Sequence, residues 1–145
     1  MTMKMYLKLL VFTFFISFFA CQNKAKGQTP QAVKETFKAK YPGENDPDWH
    51  IDDHGNFESN FKIDGISYRA DFSPNGSWIE TETSIDKKDL PKVIQDKIEA
   101  NYSEYDITEI EKVEHHSKGM FYDVEFKQKG KNKDVEFNAS GDIIN

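Results

Sequence analysis

The chain runs twice through the same order of hydrophobic and polar positions between residues 29 and 145. Each copy begins with apolar residues spaced four apart, which is the period of an amphipathic helix. These residues are Val33, Phe37 and Tyr41 in the first copy and Ile94, Ile98 and Tyr102 in the second. A proline precedes each stretch, where a missing N–H is tolerated. The pattern therefore predicts one helix at the start of each copy.

After each predicted helix, the apolar positions alternate with polar ones. In FESNFKI, residues 57–63, the aromatic residues share one face, and MFYDVEF, residues 120–126, alternates in the same way. This alternation is typical of antiparallel strands with one buried and one solvated face. Asp64-Gly65 and Asn75-Gly76 are strong turn signals between such runs. Each copy is therefore predicted to hold four antiparallel strands.

The stretch EFNASGDII at residues 136–144 repeats DFSPNGSWI at residues 71–79. Self-similarity of this kind indicates one structural unit built twice. We therefore predict an α+β fold of two tandem α-β-β-β-β repeats, residues 29–86 and 87–145, each an antiparallel four-stranded sheet covered by a helix. A unit of about 55 residues is near the lower size limit for independent folding. We expect the two units to share an interface or a continuous sheet.

The first 21 residues have the composition of an export signal. An uncharged apolar run at residues 9–20 follows two lysines. The run is shorter than the about 20 apolar residues that a membrane-spanning helix needs. We expect residues 1–21 to direct export and residues 22–28 to form a short linker.

The end of this run, Phe18-Phe19-Ala20-Cys21, resembles the lipobox of bacterial lipoproteins. In that class of signal the cysteine is acylated and becomes the mature N-terminus, so Cys21 is the predicted lipidation site. It is the only cysteine and has no partner for an internal disulfide. Ordinary signal cleavage near Gly27 is the alternative. The sequence predicts an exported protein of the periplasm or outer membrane, held to the membrane by an N-terminal lipid anchor only.

The charge of the chain excludes one class of partner. The formal net charge is −6 at pH 7, and removal of residues 1–21, which contain two lysines and no acid, makes it −8. An acidic protein repels phosphate backbones, and the sequence has no basic stripe to offset this. We therefore expect no nucleic acid partner, and no motif indicates a cofactor.

The sequence also lacks the signature of a nucleophilic enzyme. Cys21 lies outside the predicted folded region, and no serine occupies a Gly-x-Ser-x-Gly elbow. We therefore predict a non-catalytic protein.

A metal site is the alternative to a binding module. Residues 44–55, ENDPDWHIDDHG, are rich in acids and histidines, but they lack the glycine and the bidentate glutamate of a calcium loop. In a strand, His50, Asp52 and His54 share one face. The two histidines would then be about 13 Å apart, which is too far for one ion without a bend. A metal or small-ligand site at these residues remains the second hypothesis.

Aromatic residues on the outer faces of the sheets are candidates for binding a protein. Trp78 and Ile79 are neighbours on a strand, so one of them faces away from the helix, and Phe121 falls on the same face as acidic residues. Such a residue either anchors a partner or is buried where the two repeats meet. We predict Trp78, Phe121 and Arg69 as binding residues.

The other outer-face positions carry mixed charges, which either bind a partner or solvate the sheet, and solvation is the favoured interpretation. These positions are Glu58, Lys62, Arg69, Asp71, Glu125, Lys127, Asp134 and Glu136.

Several short stretches carry a resemblance to a known family. They are AKYP at residues 39–42, Trp49, GNFESNF at residues 55–61, NGSWIETET at residues 75–83 and LP at residues 90–91. Together with the export signal, the chain resembles the PepSY-like, beta-lactamase-inhibitor-like family of Gram-negative envelope proteins. The resemblance implies a non-catalytic module that binds a protein or peptide outside the cytoplasm. It also suggests a peptidase or other hydrolase as the inhibited partner.

Overall fold

The computed structural model describes residues 28–145, which form one antiparallel sheet of seven strands and two α-helices. The elements are α1 (Gln31–Lys40), β1 (Asp48–Ile51), β2 (Phe57–Ile63), β3 (Ile66–Phe72), β4 (Trp78–Ser84), a 3-10 helix (Lys87–Asp89), α2 (Lys92–Asn101), β5 (Asp106–His115), β6 (Gly119–Gln128) and β7 (Lys131–Phe137). The strands lie in chain order from β1 to β7. The α+β class is confirmed. The predicted export signal, Cys21 and nearly all of the predicted linker lie outside the described residues.

The single seven-stranded sheet differs from the predicted two repeats of four strands each. β4 pairs with β5 from Glu80 and His115 to Ser84 and Glu111, so one sheet runs through both halves. Of the two arrangements that the sequence predicts for units this small, a shared interface or a continuous sheet, the structure has the continuous sheet. The second half has three strands, and only an isolated bridge to Ile143 stands where its fourth strand was predicted. β4 is hydrogen-bonded to both β3 and β5, whereas residues 142–145 gain backbone hydrogen bonds from β7 alone, so strand pairing stabilises an extended conformation less at residues 142–145.

Each half has its own hydrophobic core between its helix and the sheet. The first core contains Val33, Phe37, Tyr41, Phe57, Phe61, Ala70 and Phe72. The second contains Leu90, Ile94, Ile98, Ile110, Val124, Phe126, Val135 and Phe137. The helical stripes and inward strand positions expected from the sequence supply both cores, as apolar burial requires. Within residues 28–145, neither helix combines the length and apolar character needed to cross a bilayer.

Both helices cover the same face of the sheet. The hydroxyl of Thr81 on β4 is hydrogen-bonded to the hydroxyl of Tyr41 at the end of α1. The Thr81 side chain therefore points to the α1 side of the sheet. Thr81 pairs with Glu114 of β5, and Ile110, an even number of residues away on the same strand, belongs to the core under α2. Because strand residues of equal parity share a face, the opposite face is left without a helix along its whole width.

In each half the third strand is followed by one turn, and the two turns have the same geometry. In the first, the Ser73 N–H donates to the Ser77 carbonyl and the Gly76 N–H to the Ser73 carbonyl, both at 2.9 Å. In the second, Asn138 and Gly141 make the corresponding two bonds at 2.9 Å. The offset of 65 positions read from the sequence therefore corresponds to one local structure formed twice.

These turns hold the helices against the sheet. The Thr36 hydroxyl donates to the Gly76 carbonyl at 2.8 Å, and Lys97 Nζ donates to the Gly141 carbonyl at 2.6 Å. Gly76 has a φ of +89°, and a Cβ added there would lie 2.8 Å from the backbone carbonyl carbon of Ala32. Glycine is required at this turn both for its conformation and for the close approach of α1.

We predict that Gly76→Ala destabilises the protein more than Gly65→Ala. Gly65 also has a positive φ, +82°, but an added Cβ there would meet nothing within 4 Å. Gly65→Ala should therefore cost about 1 to 2 kcal/mol from backbone conformation alone. Gly76→Ala should cost a further ~1 to 3 kcal/mol because the new methyl group displaces α1. Urea unfolding of both variants measures the difference, and equal losses would show that the helix contact is unimportant.

Candidate functional site

The face of the sheet opposite the helices is strongly acidic. Across β2 to β7 it carries eleven carboxylates and three basic residues, Lys62, Arg69 and Lys127. The carboxylates are Glu58, Asp71, Glu80, Glu82, Asp106, Glu109, Glu111, Asp123, Glu125, Asp134 and Glu136. We call this surface the acidic face.

Six of these carboxylates form two rows across β5, β6 and β7. One row is Glu111, Asp123 and Glu136, and the other is Glu109, Glu125 and Asp134, with the members of each row directly opposite one another. Neighbouring strands are about 4.8 Å apart, and like charges directly opposite each other destabilise a sheet. We call these six residues the carboxylate grid.

Little of the charge in the carboxylate grid is neutralised by the protein. Lys118 Nζ binds both carboxylate oxygens of Glu136, at 2.9 and 2.8 Å. The carboxylate of Glu125 accepts hydrogen bonds from the Thr108 hydroxyl and, at 3.0 Å, from Asn132 Nδ2. None of the other four grid carboxylates has an ion pair with a residue of the described chain. The grid therefore keeps a concentrated negative charge.

Glu82, on β4 beside the grid, is the one carboxylate in residues 28–145 that is buried, with 7% of its surface exposed. Its Oε1 accepts a hydrogen bond from Nη2 of Arg69 on β3, and Oε2 is buried without a donor. Arg69 Nε also lies 3.7 Å from Asp71 Oδ2. In the described chain, all buried side-chain nitrogen and oxygen atoms that lack a partner belong to the acidic face, namely Arg69 Nε, Asp71 Oδ1, Glu82 Oε2 and Asp123 Oδ1.

Several carboxylates of this face hold protons more tightly than usual. Burial raises the pKa of Glu82, with Arg69 opposing the shift and Glu111 adding to it. Burial likewise raises the pKa of Glu111 and of Asp123, and neighbouring acids act in the same direction. Glu111 is the diagonal neighbour of Glu82 across β4 and β5, and two carboxyl groups can share a hydrogen bond only when one of them is protonated. A cation brought to the face would favour the ionised forms instead.

An apolar pair lies on the same face. Phe121 and Val113 are directly opposite each other on β6 and β5, and they are 3% and 2% exposed. Lys118 Nζ lies 5.1 Å from the centre of the Phe121 ring. The sequence correctly placed Phe121 among acidic residues. The structure adds that the Phe121 ring is buried among the side chains of this face.

Trp78 lies on the other side of the sheet and packs against the first core. Its Nε1 donates to the Thr81 hydroxyl at 3.0 Å, and Lys40 Nζ lies 3.8 Å from the centre of its ring. The three predicted binding residues are thus divided: Arg69 and Phe121 belong to the acidic face, whereas Trp78 belongs to the helix-covered one. Contact of any of the three with a partner stays a prediction.

The residues of the metal hypothesis contact neighbouring residues of their own segment. Asp52 Oδ1 accepts the N–H groups of His54 and Asn56, both at 2.8 Å, and Asn56 Nδ2 donates to Asp52 Oδ2 at 3.0 Å. His50 Nε2 lies 3.3 Å from Asp48 Oδ2. Within residues 28–145, no group of three or more His, Cys, Asp or Glu side chains is arranged to hold a metal ion.

Within residues 28–145, a cavity lies beside each of the two helices. One, of about 440 Å³, lies beside α2 and is lined by Tyr102 and Tyr105 among others. The other, of about 400 Å³, lies beside α1 and is lined by Phe37 and Trp49 among others. Neither is lined by a residue of the acidic face.

The sequence pattern did not predict Glu82, Glu111 and Glu109 as site residues. Their signal was nevertheless present, because four strands each carry two acids at alternate positions. These pairs are Glu80 and Glu82, Glu109 and Glu111, Asp123 and Glu125, and Asp134 and Glu136. What the spacing could not give was the order of the strands, which brings the four pairs side by side.

The fold and this face define a small α+β module with helices on one side of the sheet and an open acidic surface on the other. The chain belongs to the PepSY-like family, described as "Putative beta-lactamase-inhibitor-like, PepSY-like", whose model matches residues 57–145. The comparison with curated proteins gives no match.

Solved structures with the same fold come from Bacteroides. A DUF2874 family protein from Bacteroides ovatus is 21% identical, with a TM-score of 0.73 over 81% of this chain and 86% of that one. One from Bacteroides eggerthii, described as "putative periplasmic proteins", is 17% identical, with a TM-score of 0.73 over 82% and 88%. A BLIP-like protein from Bacteroides fragilis is 21% identical, with a TM-score of 0.72 over 84% and 87%. At these identities the likeness establishes the fold alone.

We predict that Asp71→Asn stabilises the protein at pH 8 and leaves its stability unchanged at pH 4. Burial raises the pKa of Asp71 to about 6, with Arg69 opposing and Glu80, Glu58 and Asp52 adding to the shift. Because the folded state holds this proton more tightly than the unfolded state does, stability falls as pH rises from about 4 through 6. The variant should gain about 1 to 3 kcal/mol at pH 8.

Thermal unfolding of both proteins from pH 4 to pH 8 measures this effect. The exposed helix residue Glu99 provides a matched control, since Glu99→Asn should leave the shape of the pH profile unchanged. Parallel profiles for Asp71→Asn and the unsubstituted protein would show that Asp71 ionises normally.

Proposed function

We propose that this protein is an exported, non-catalytic module that binds a protein or peptide through its acidic face. The observation that carries the proposal is that this face holds carboxylates in two unfavourable arrangements. The strands align carboxylates directly opposite one another and bury Glu82 with an oxygen that has no donor. Both arrangements lower the stability of an isolated sheet. Surfaces that lower stability in this way are typical of functional sites.

The shape of the site favours a macromolecular partner. Small-molecule sites are concave and largely apolar, whereas the acidic face is broad, polar and spread over neighbouring strands. The family name refers to inhibition of a lactamase, and one neighbour of the same fold is described as BLIP-like. Inhibition is a binding activity and needs no catalytic group. The inhibited partner that the family resemblance implies, a peptidase or other hydrolase, is compatible with this proposal.

The organisation of the chain is part of the proposal. We infer that residues 1–21 are an export signal, that residues 22–28 are a linker, and that residues 29–86 and 87–145 are two copies of one unit. The matching hydrogen bonds of the turns at Gly76 and Gly141 support the duplication. The description of the neighbour from Bacteroides eggerthii as periplasmic supports export.

Site-directed photo-cross-linking tests the binding face. A photoreactive amino acid is placed at Asn60 or Lys127 on the acidic face, and at the exposed residues Lys38 or Glu99 on the helix side. In cells, the two acidic-face positions should cross-link the same envelope protein, which mass spectrometry identifies, and the helix positions should not. The purified protein identified in this way should then bind the unmodified module.

The opposite pattern, with cross-links from the helix positions and none from the acidic face, would contradict the proposed binding surface. Turnover of a peptide or ester substrate panel by the purified module would contradict its non-catalytic nature.

The proposed lipid anchor at Cys21 has a separate test. Globomycin, which blocks cleavage of lipoprotein signals, should cause the uncleaved precursor to accumulate. Cys21→Ser should release the module from the membrane fraction, because an acyl chain contributes about 0.8 kcal/mol per buried methylene to membrane binding. A precursor that is processed normally in globomycin would favour ordinary cleavage near Gly27.

A further inference from the structure

The acidic face is specific enough to indicate the chemistry of its partner. We propose that the partner is a polypeptide segment with lysine or arginine side chains at alternate positions, which lie over the two rows of the carboxylate grid next to Glu82. This inference rests on the proposed function and adds to it the charge and spacing of what is bound.

The first support is charge. The carboxylate grid places six acids in an area of about 10 by 7 Å, given the spacing of strands and of alternate strand residues. Lys118 is the only basic side chain that forms an ion pair with the grid in the described chain. A cationic partner would place a positive charge between carboxylates that repel each other across the strands. Its binding would therefore relieve a repulsion present in the free protein.

The second support is the buried carboxylate beside the grid. The side chain of Glu82 is 9% exposed, and its Oε2 has no donor, although Arg69 binds Oε1. Asp123 Oδ1 within the grid also lacks a donor. Glu111 lies between these two groups, as the diagonal neighbour of Glu82 and the direct neighbour of Asp123. A guanidinium or ammonium group at Glu111 would face all three carboxylates.

The spacing of the rows favours an extended polypeptide over a single ion. Glu109 and Glu111 are two residues apart on one strand, so the two rows lie about 7 Å apart. Alternate side chains of an extended segment have the same separation, so residues i and i+2 of a partner would meet one row each. Arginine suits the site well because its planar group binds carboxylates through two hydrogen bonds.

Titration calorimetry with a defined probe tests the inference. The probe is an eight-residue peptide of alternating arginine and threonine, and the same peptide with glutamine in place of arginine is the uncharged control. The mature protein should bind the arginine peptide, more weakly as salt is added, and should not bind the glutamine peptide. Amide chemical-shift changes should be concentrated on β5, β6 and β7.

Two double variants of equal net charge separate the grid from the overall charge of the protein. Glu111→Gln with Asp123→Asn should weaken binding of the arginine peptide about tenfold or more, because two charge-assisted contacts are lost. Glu35→Gln with Glu99→Gln, on the exposed helix surfaces, should change it less than about twofold, since exposed charges beyond a Debye length are screened. The grid variant should remain folded, because it removes repulsion, and thermal unfolding verifies this.

Four results would overturn the inference. The first is equal binding of the arginine peptide by both double variants, and the second is absence of binding by the unsubstituted protein. The third is spermine or Mg²⁺ binding to the grid as tightly as the peptide, which would assign the site to small cations. The fourth is self-association abolished by the grid variant, which would assign the face to the lysine-bearing helix side of a second copy.

The outcome is distinguishable from that of the proposed function. If a partner is cross-linked from Asn60 and Lys127 but binds the grid variant as tightly as the unsubstituted protein, the proposed function stands and the cationic inference fails.

Discussion

The pairing of β4 with β5 is the interaction on which the rest of the structure depends. It joins the two halves into one sheet, and its register determines which side chains of one half lie beside those of the other. Through it, Glu82 of the first half becomes the diagonal neighbour of Glu111 of the second. Because side chains alternate along every strand, the same register also puts α1 and α2 on one face and leaves the acidic face uncovered.

The two faces of this sheet are stabilised in different ways. The helix-covered face buries two aromatic and aliphatic cores, and a glycine turn in each half holds the helix in place. The acidic face contains the buried apolar pair Val113 and Phe121, and the main internal compensation of its charge is Arg69 bound to Glu82 and Lys118 bound to Glu136. The stability gained on the helix side therefore has to offset repulsion on the other, which a proton or an external cation reduces.

This division of labour connects the fold with its proposed role. A sheet that is covered on one side has a rigid open surface on the other, and rigid elements hold binding groups in fixed positions. The class of fold does not by itself specify a partner, since the likeness to structures at about 20% identity shows the fold alone. The carboxylate pattern comes from the residues and the strand register of this chain, and it is the feature from which the cationic partner is inferred.

The sequence by itself determined the local structure of this protein. Helical stripes, strand alternation and the turns at Asp64-Gly65 and Asn75-Gly76 are all set by neighbouring residues, and each was predicted correctly. The parity of Phe121 and Arg69 was likewise readable, because alternation is a local property. Only the tertiary structure decided that the halves share one sheet, that the second half lacks a regular fourth strand, and that Glu82 is buried. These features depend on contacts between residues far apart in the chain, above all the pairing of β4 with β5 across the intervening α2, and on how many neighbours each strand finds. For that reason the acids appeared in the sequence as a solvated field of mixed charge, whereas in the folded protein they form one dense and poorly neutralised surface.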